Sequence, residues 1–189
     1  MQQASPQGQG AMAACIGISL KELQELLDSS SVGGICQIAN DNVEGQIVIS
    51  GHDENVNYML SVLKDLGYKA IKLKVSASFH SALMKPAEEP MSSALMQTNI
   101  KIPAVPVIAN VTAKQTISPD EIRSNLISQI CDTVRWRETM DELNRLGIKE
   151  LVEIGSGKVL SGLAKKTPHN FKVTNISTIA EMEQFLSDI

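Results

Sequence analysis

The chain has 189 residues, 43% hydrophobic and 20% charged, with a formal net charge of −4. That is enough apolar material for one large globular domain or two small ones. The acidic balance and the lack of a long basic run exclude nonspecific nucleic-acid binding, and no apolar stretch approaches the roughly 18 residues of a membrane span.

The N-terminus, MQQASPQGQG, has neither the charged nor the apolar region of an export signal, so a cytoplasmic location is expected. Cys15, Cys36 and Cys131 lie far apart, each in an apolar stretch and with no C-x-x-C pair. They read as reduced core thiols rather than metal ligands or disulfides, and no metal or cofactor is expected.

After a connecting segment at 1–9, residues 10–17 (GAMAACIG) predict a buried strand, and Leu20, Leu23, Leu26 and Leu27 recur at helical spacing. Runs at 34–39 and 46–50 predict two strands separated by the turn-forming NDNVEG. Asp53 can cap a helix over 53–66 with Val56, Met59, Leu60, Leu63 and Leu66 on one face, ended by Gly67. In the next run, KAIKLKV, Ile71, Leu73 and Val75 alternate with lysines as a half-exposed strand. The order over 10–76 is β-α-β-β-α-β, a ferredoxin-like subdomain with one four-stranded antiparallel sheet.

From Ser78 the pattern changes. A helical stretch at 81–97 contains Pro86 and Pro90, a strand follows at 105–111, and helices are predicted at 119–130 and 134–147. A strand at 150–154, a helix from 157, a strand at 171–176 and a helix at 178–188 complete an α/β alternation. Residues 77–189 therefore read as a second subdomain, its three strands apolar on successive residues as strands covered on both faces are, so that without neighbouring strands an unpaired edge or an exposed apolar patch is expected. Met59, Met91, Met96, Met140 and Trp136 are expected in the core.

His80, in VSASFHSALM, follows a strand in a Ser-rich turn, where an imidazole can be exposed and oriented. Its spacing alone reads as a plain turn histidine, with Ser78 or Ser81 capping the next helix. His52 and His169 have no carboxylate or cysteine at ligand spacing and are expected to be solvated. The segment EIGSGKVLSGL does not match a phosphate loop, because Val152 stands where the first glycine belongs and Val159 follows Lys158. Gly155 and Gly157 there serve a strand-to-helix turn.

Five segments, GAMAACIG, GQIVISGH, VSASFHSALMKPA, VPVIANVTA and VEIGSGKVLSGL, resemble in order and spacing the malonyl-CoA:acyl-carrier-protein transacylases. The resemblance runs over nearly the whole chain and corresponds to the C-terminal portion of that family. It implies that 77–189 belong to a partial α/β-hydrolase-like acyltransferase subdomain. It also implies a ping-pong transfer of malonyl from CoA to the pantetheine thiol of an acyl carrier protein, through a serine nucleophile and a histidine base. By this resemblance His80 is the base, and Gln129 supplies the main-chain carbonyl that orients it. Asn40 and Asn42 correspond to asparagines bordering the cleft. Ser78, Thr133 and Ser156 stand where proline is common, and Ser81→Ala is expected to leave transfer nearly unchanged.

No G-x-S-x-G occurs in the sequence. The expectation is that a missing N-terminal half holds the nucleophile, the oxyanion donors and the malonate-binding arginine, and that the chain is inactive alone. The alternatives are a noncatalytic module that binds an acidic carrier protein through Arg135, Arg137, Lys158, Lys165 and Lys166, or a nonfunctional fragment.

Overall fold

The computed structural model describes residues 9–30, 33–75 and 77–188. Of the connecting segment at 1–9, residues 1–8 lie outside them. Strand β1 (Gly10–Ile16) is apolar throughout because both of its faces are used. Ala11, Ala13 and Cys15 enter the main core, while Met12 packs on the opposite face with Ala39 and Val48. Helix α1 (Leu20–Ser29) starts at a capping box in which the Ser19 hydroxyl accepts from the Glu22 amide and the Glu22 carboxylate accepts from Ser19 N–H. Strands β2 (Cys36–Val43) and β3 (Gln46–His52) precede helix α2 (Asp53–Asp65) and strand β4 (Lys69–Lys72).

Ile18, Leu23, Val56, Met59 and Leu63 pack on Ile38, Ile47 and Ile49 and form the larger core. Burying such side chains supplies about 1.5–3 kcal/mol each. Gly67, at φ +85, lets the chain leave α2 in a left-handed turn without a Cβ penalty. Asp53 does not cap this helix: it is the first helical residue and its carboxylate pairs with Lys72 instead.

The sheet order is β4-β1-β3-β2, antiparallel at every step, and a short fifth strand, β7 (Val134–Arg135), adds parallel to β2. Two sequence expectations change here. The six-residue turn NDNVEG is a continuation of β2 through Val43, leaving only Glu44 and Gly45 in the hairpin turn. Polar residues persist in this strand because irregularities at Ile38/Asn40 and Asp41/Val43 break its alternation and because Asp41 is ion-paired. In β4, which ends at Lys72, the helix-facing residue is Ala70; Ile71 is 48% exposed, and Val75, expected in the same strand, lies beyond it and is 40% exposed.

Beyond the sheet, a 3-10 turn (Ala82–Ala87) runs into helix α3 (Glu88–Gln97). Pro86 falls in the turn and Pro90 in the first turn of α3, where a missing N–H leaves no hydrogen bond unmade. Strands β5 (Val107–Ala109) and β6 (Lys114–Thr116) form an antiparallel hairpin, and α4 (Pro119–Ser128) begins on Ser118 with Pro119 at its first position. Helix α5 (Trp136–Arg145) follows β7. Strand β8 (Glu150–Ile154), helix α6 (Val159–Ala164) and strand β9 (Lys172–Ile176) make a parallel β-α-β unit, and α7 (Ile179–Ser187) ends the chain's described part.

Of the strands read at 105–111, 150–154 and 171–176, the first is β5 and pairs antiparallel with β6, while β8 and β9 pair in parallel as a two-stranded sheet. Val152 and Ile154 of β8 are 39% and 68% exposed, so apolar residues of this strand stand uncovered. Met96, expected in the core, is 70% exposed. The chain divides into two compact units at Thr139/Met140, and β7 joins the sheet of the first.

Candidate active site

His80 stands on a segment held from several sides. Ala77, Met84 and Ile130 form a buried cluster flanked by Phe79, Met91 and Cys131, while Phe79 also reaches Met12, Ala39 and Val48 on the sheet. Gly10 makes room for this segment, since a Cβ there would lie 2.6 Å from the Ser78 hydroxyl. The Ser81 hydroxyl donates to the Ser78 carbonyl at 2.7 Å, which closes the turn, and Ser81 is fully buried.

His80 itself has φ +55, a region that costs a non-glycine residue about 1–2 kcal/mol. Its ring is half-buried, and Nδ1 lies 2.8 Å from the main-chain oxygen of Gln129. A carbonyl can only accept, so Nδ1 carries a proton, and in the neutral ring it is Nε2 that keeps the lone pair. The Gln129 side-chain amide is also 3.4 Å from Nδ1, but it donates to the Asp132 carbonyl at 3.0 Å. The shorter carbonyl contact sets the tautomer. Gln129 is the C-cap of α4, where main-chain carbonyls have no partner inside the helix, and its oxygen is thus free to take an imidazole N–H.

The structure brings His80 and Gln129 together. Asn40 is opposite Val48 in the register and so shares the sheet face on which Phe79 packs. Asn42 lies at the second irregularity of β2, and neither asparagine hydrogen-bonds to His80. Gln37 was passed over in the sequence. Its side chain accepts from Ala82 N–H at 3.0 Å and donates to the Cys131 carbonyl at 3.4 Å. The available signal was one amide in the otherwise apolar run GICQIA.

The remaining polar features are engaged elsewhere. His52 Nδ1 accepts from Ile35 N–H at 2.9 Å, and His169 Nε2 lies 2.7 Å from Asp141 with Phe171 edge-on to its ring; neither is simply solvated. Glu153 accepts from Leu160 N–H, Ser161 N–H and the Ser161 hydroxyl, which fills the start of α6 with the chain's own carboxylate. Gly155 and Gly157 there have φ +143 and +87, as the turn requires.

Arg137 grips the buried Asp41 at 2.8–3.1 Å and Arg135 pairs with Glu138, so both arginines are committed within the chain. A cavity of about 710 Å³ beside α1 is lined by these pairs and not by His80. The cysteines are free thiols. Among the described residues there is no metal-binding cluster of three or more His, Cys, Asp or Glu, and no helix long and apolar enough to cross a membrane.

No family model matches the chain. Its named homologues are nonetheless acyltransferases, and specifically malonyltransferases. It is 42% identical over 179 residues to the malonyl CoA-acyl carrier protein transacylase of Bacillus subtilis (strain 168), covering 94% of this chain and 56% of that protein. The Staphylococcus aureus (strain MRSA252) transacylase is 38% identical over 185 residues, with 97% and 60% covered.

Among solved structures, the acyl-carrier-protein-S-malonyltransferase of Bartonella henselae is 44% identical with a TM-score of 0.93, over 99% of this chain and 60% of that one. A malonyl-transacylase solved in complex with its type II PKS acyl-carrier protein is 34% identical with a TM-score of 0.92, over 100% and 61%. The chain is thus homologous to a C-terminal portion of the malonyl CoA-acyl carrier protein transacylases and spans 56–60% of the length of these curated relatives.

Proposed function

We propose that this chain supplies the general base of a malonyl-CoA:acyl-carrier-protein transacylase, and that His80 is that base. The observation that carries the reading is the 2.8 Å contact from His80 Nδ1 to the Gln129 carbonyl, which leaves Nε2 as proton acceptor on a fixed ring. In this reading Nε2 takes the hydroxyl proton of a serine as that oxygen attacks the malonyl thioester. The same proton leaves with the CoA thiol, and a malonyl-serine ester remains. The pantetheine thiol of the carrier protein then gives its proton to Nε2 as its sulfur attacks the ester, and that proton passes from Nε2 to the leaving serine oxygen, restoring the hydroxyl and leaving malonyl on the pantetheine sulfur. Asn40 would border the reacting groups.

The nucleophile is assigned to the part of such a transacylase that these 189 residues do not span, since they contain no G-x-S-x-G. The ferredoxin-like reading of the small sheet is supported by the order β4-β1-β3-β2 and its antiparallel pairing.

The test joins this chain to the portion of the Bacillus subtilis relative that it does not match. With radiolabelled malonyl-CoA and pantetheinylated carrier protein, the chimera is expected to take up label and pass it on. The 189-residue chain alone is expected to remain unlabelled. Label on the isolated chain at its own Ser78 or Ser156 would refute the assignment of the nucleophile, and a folded chimera without transfer would count against the reading as a whole.

A further inference from the structure

Two segments meet at His80. One, residues 77–84, carries the ring; the other, residues 128–132, carries the Gln129 carbonyl. Apolar contact among Ala77, Met84 and Ile130 brings them together, but such contact is non-directional and does not set the angle of a hydrogen bond.

The directional link comes from Gln37 on β2. Its Oε1 accepts from Ala82 N–H at 3.0 Å, and its Nε2 donates to the Cys131 carbonyl at 3.4 Å. Ala82 lies two residues after His80 (82 − 80 = 2), and Cys131 lies two residues after Gln129 (131 − 129 = 2). One carboxamide therefore grips both segments at the same offset from the two atoms that must meet. The grip is anchored in the sheet, where Gln37 is opposite the fully buried Ser50.

We propose that Gln37 is a positioning residue for His80: by bridging Ala82 N–H and the Cys131 carbonyl, it holds the imidazole Nδ1 against the Gln129 carbonyl in one tautomer. The inference rests on the reading of His80 as the base. The chemistry needed at position 37 is an acceptor toward one segment and a donor toward the other, at the length of two methylenes. Glutamine meets all three requirements; glutamate has no donor when ionised, and asparagine is one methylene short. The backbone of His80 adds a reason for such a brace, because a residue at φ +55 keeps that conformation only when its surroundings over-determine it.

The first test needs no activity. In the 189-residue chain, ¹⁵N–¹H spectra of the three imidazoles, assigned with His80→Ala, are expected to show His80 as a single Nδ1–H tautomer. Gln37→Met should turn it into a mixture. Thr133→Val is the matched control: it removes the 2.6 Å bond from the Thr133 hydroxyl to the Ile38 carbonyl, which ties the same turn to β2 without touching the His80 segment. It should leave the tautomer intact.

In the chimera, Gln37→Met is expected to lower kcat about tenfold to hundredfold, with KM for malonyl-CoA within about twofold. Thr133→Val should keep the parent's kcat. Should Gln37→Met not fold, Gln37→Asn is measured instead and should show the same loss in milder form. A folded Gln37 variant with the parent's single tautomer, or with losses no larger than those of Thr133→Val, overturns the proposal. Full activity in His80→Ala would instead overturn the assignment of the base, while the spectra would still decide what Gln37 does.

Discussion

Replacing Arg137 by methionine isolates a buried charge. The Asp41 side chain is 4% exposed and its partner Arg137 29% exposed, with guanidinium contacts at 2.8–3.1 Å. Burial pushes the Asp41 carboxyl above the usual carboxylate range, and the hydrogen bonds and charge of Arg137 draw it back. Breaking a buried pair on one side costs about 3–5 kcal/mol. Because the arginine is part-solvated, the expected cost at neutral pH lies below that range, about 2–3 kcal/mol.

Without Arg137 the carboxyl is governed by burial and by Glu138 and Glu44, all of which raise its pKa further. A group whose folded pKa exceeds its unfolded one destabilises the fold above the folded value and relieves that penalty as pH falls toward the unfolded value. The gap between R137M and its parent should therefore be widest near pH 7 and narrow toward about pH 5. Trp136, the single tryptophan, adjoins the site, so urea unfolding followed by its fluorescence reads the relevant unit. D41L/R137M, which removes both charges, should recover most of the loss. A single mutant within about 0.5 kcal/mol of its parent at pH 7, or a gap that does not change with pH, would refute the reasoning.

Two further outcomes follow from the titrating groups. Burial pushes the thiols of Cys15, Cys36 and Cys131 up to about 12, 11 and 12, so at about pH 8 roughly one in a thousand or fewer is ionised. Iodoacetamide should therefore label the native chain far more slowly than the urea-unfolded one, and equal rates would contradict this. The Ser161 hydroxyl, with the amides of Ser161 and Leu160, holds the Glu153 carboxyl below its usual range. Its contribution is present above the unfolded pKa and lost as pH falls through the lower folded value. Hydrogen-exchange protection of the Leu160 and Ser161 amides should accordingly weaken below about pH 4 and already be reduced at pH 6 in Glu153→Gln; protection in the parent that is flat with pH would argue against it.

The small sheet was legible because its signals are local: apolar runs of strand length, the helical spacing of Leu23 or Met59, and Gly67 at a helix end. What misled was polarity inside a strand. Asn40, Asp41 and Asn42 look like a turn because nothing in the sequence shows that Asp41 has an arginine partner 96 residues away. The pairing of β7 with β2 and of β5 with β6 was hidden for the same reason, since a strand of two or three residues has no period to read. Its spacing left His80 a plain turn histidine, and the resemblance singled it out together with Gln129. Gln37 escaped notice because its value lies in two main-chain partners 45 and 94 residues distant.

The most direct test of His80 as the base is the pre-steady-state rate at which the chimera forms malonyl-serine, measured with and without His80→Ala. A positioned general base contributes about 10²–10⁴-fold, so the variant should be slower by that factor, with KM for malonyl-CoA within about twofold. A folded His80→Ala chimera that forms the ester within about tenfold of the parent rate would contradict the assignment.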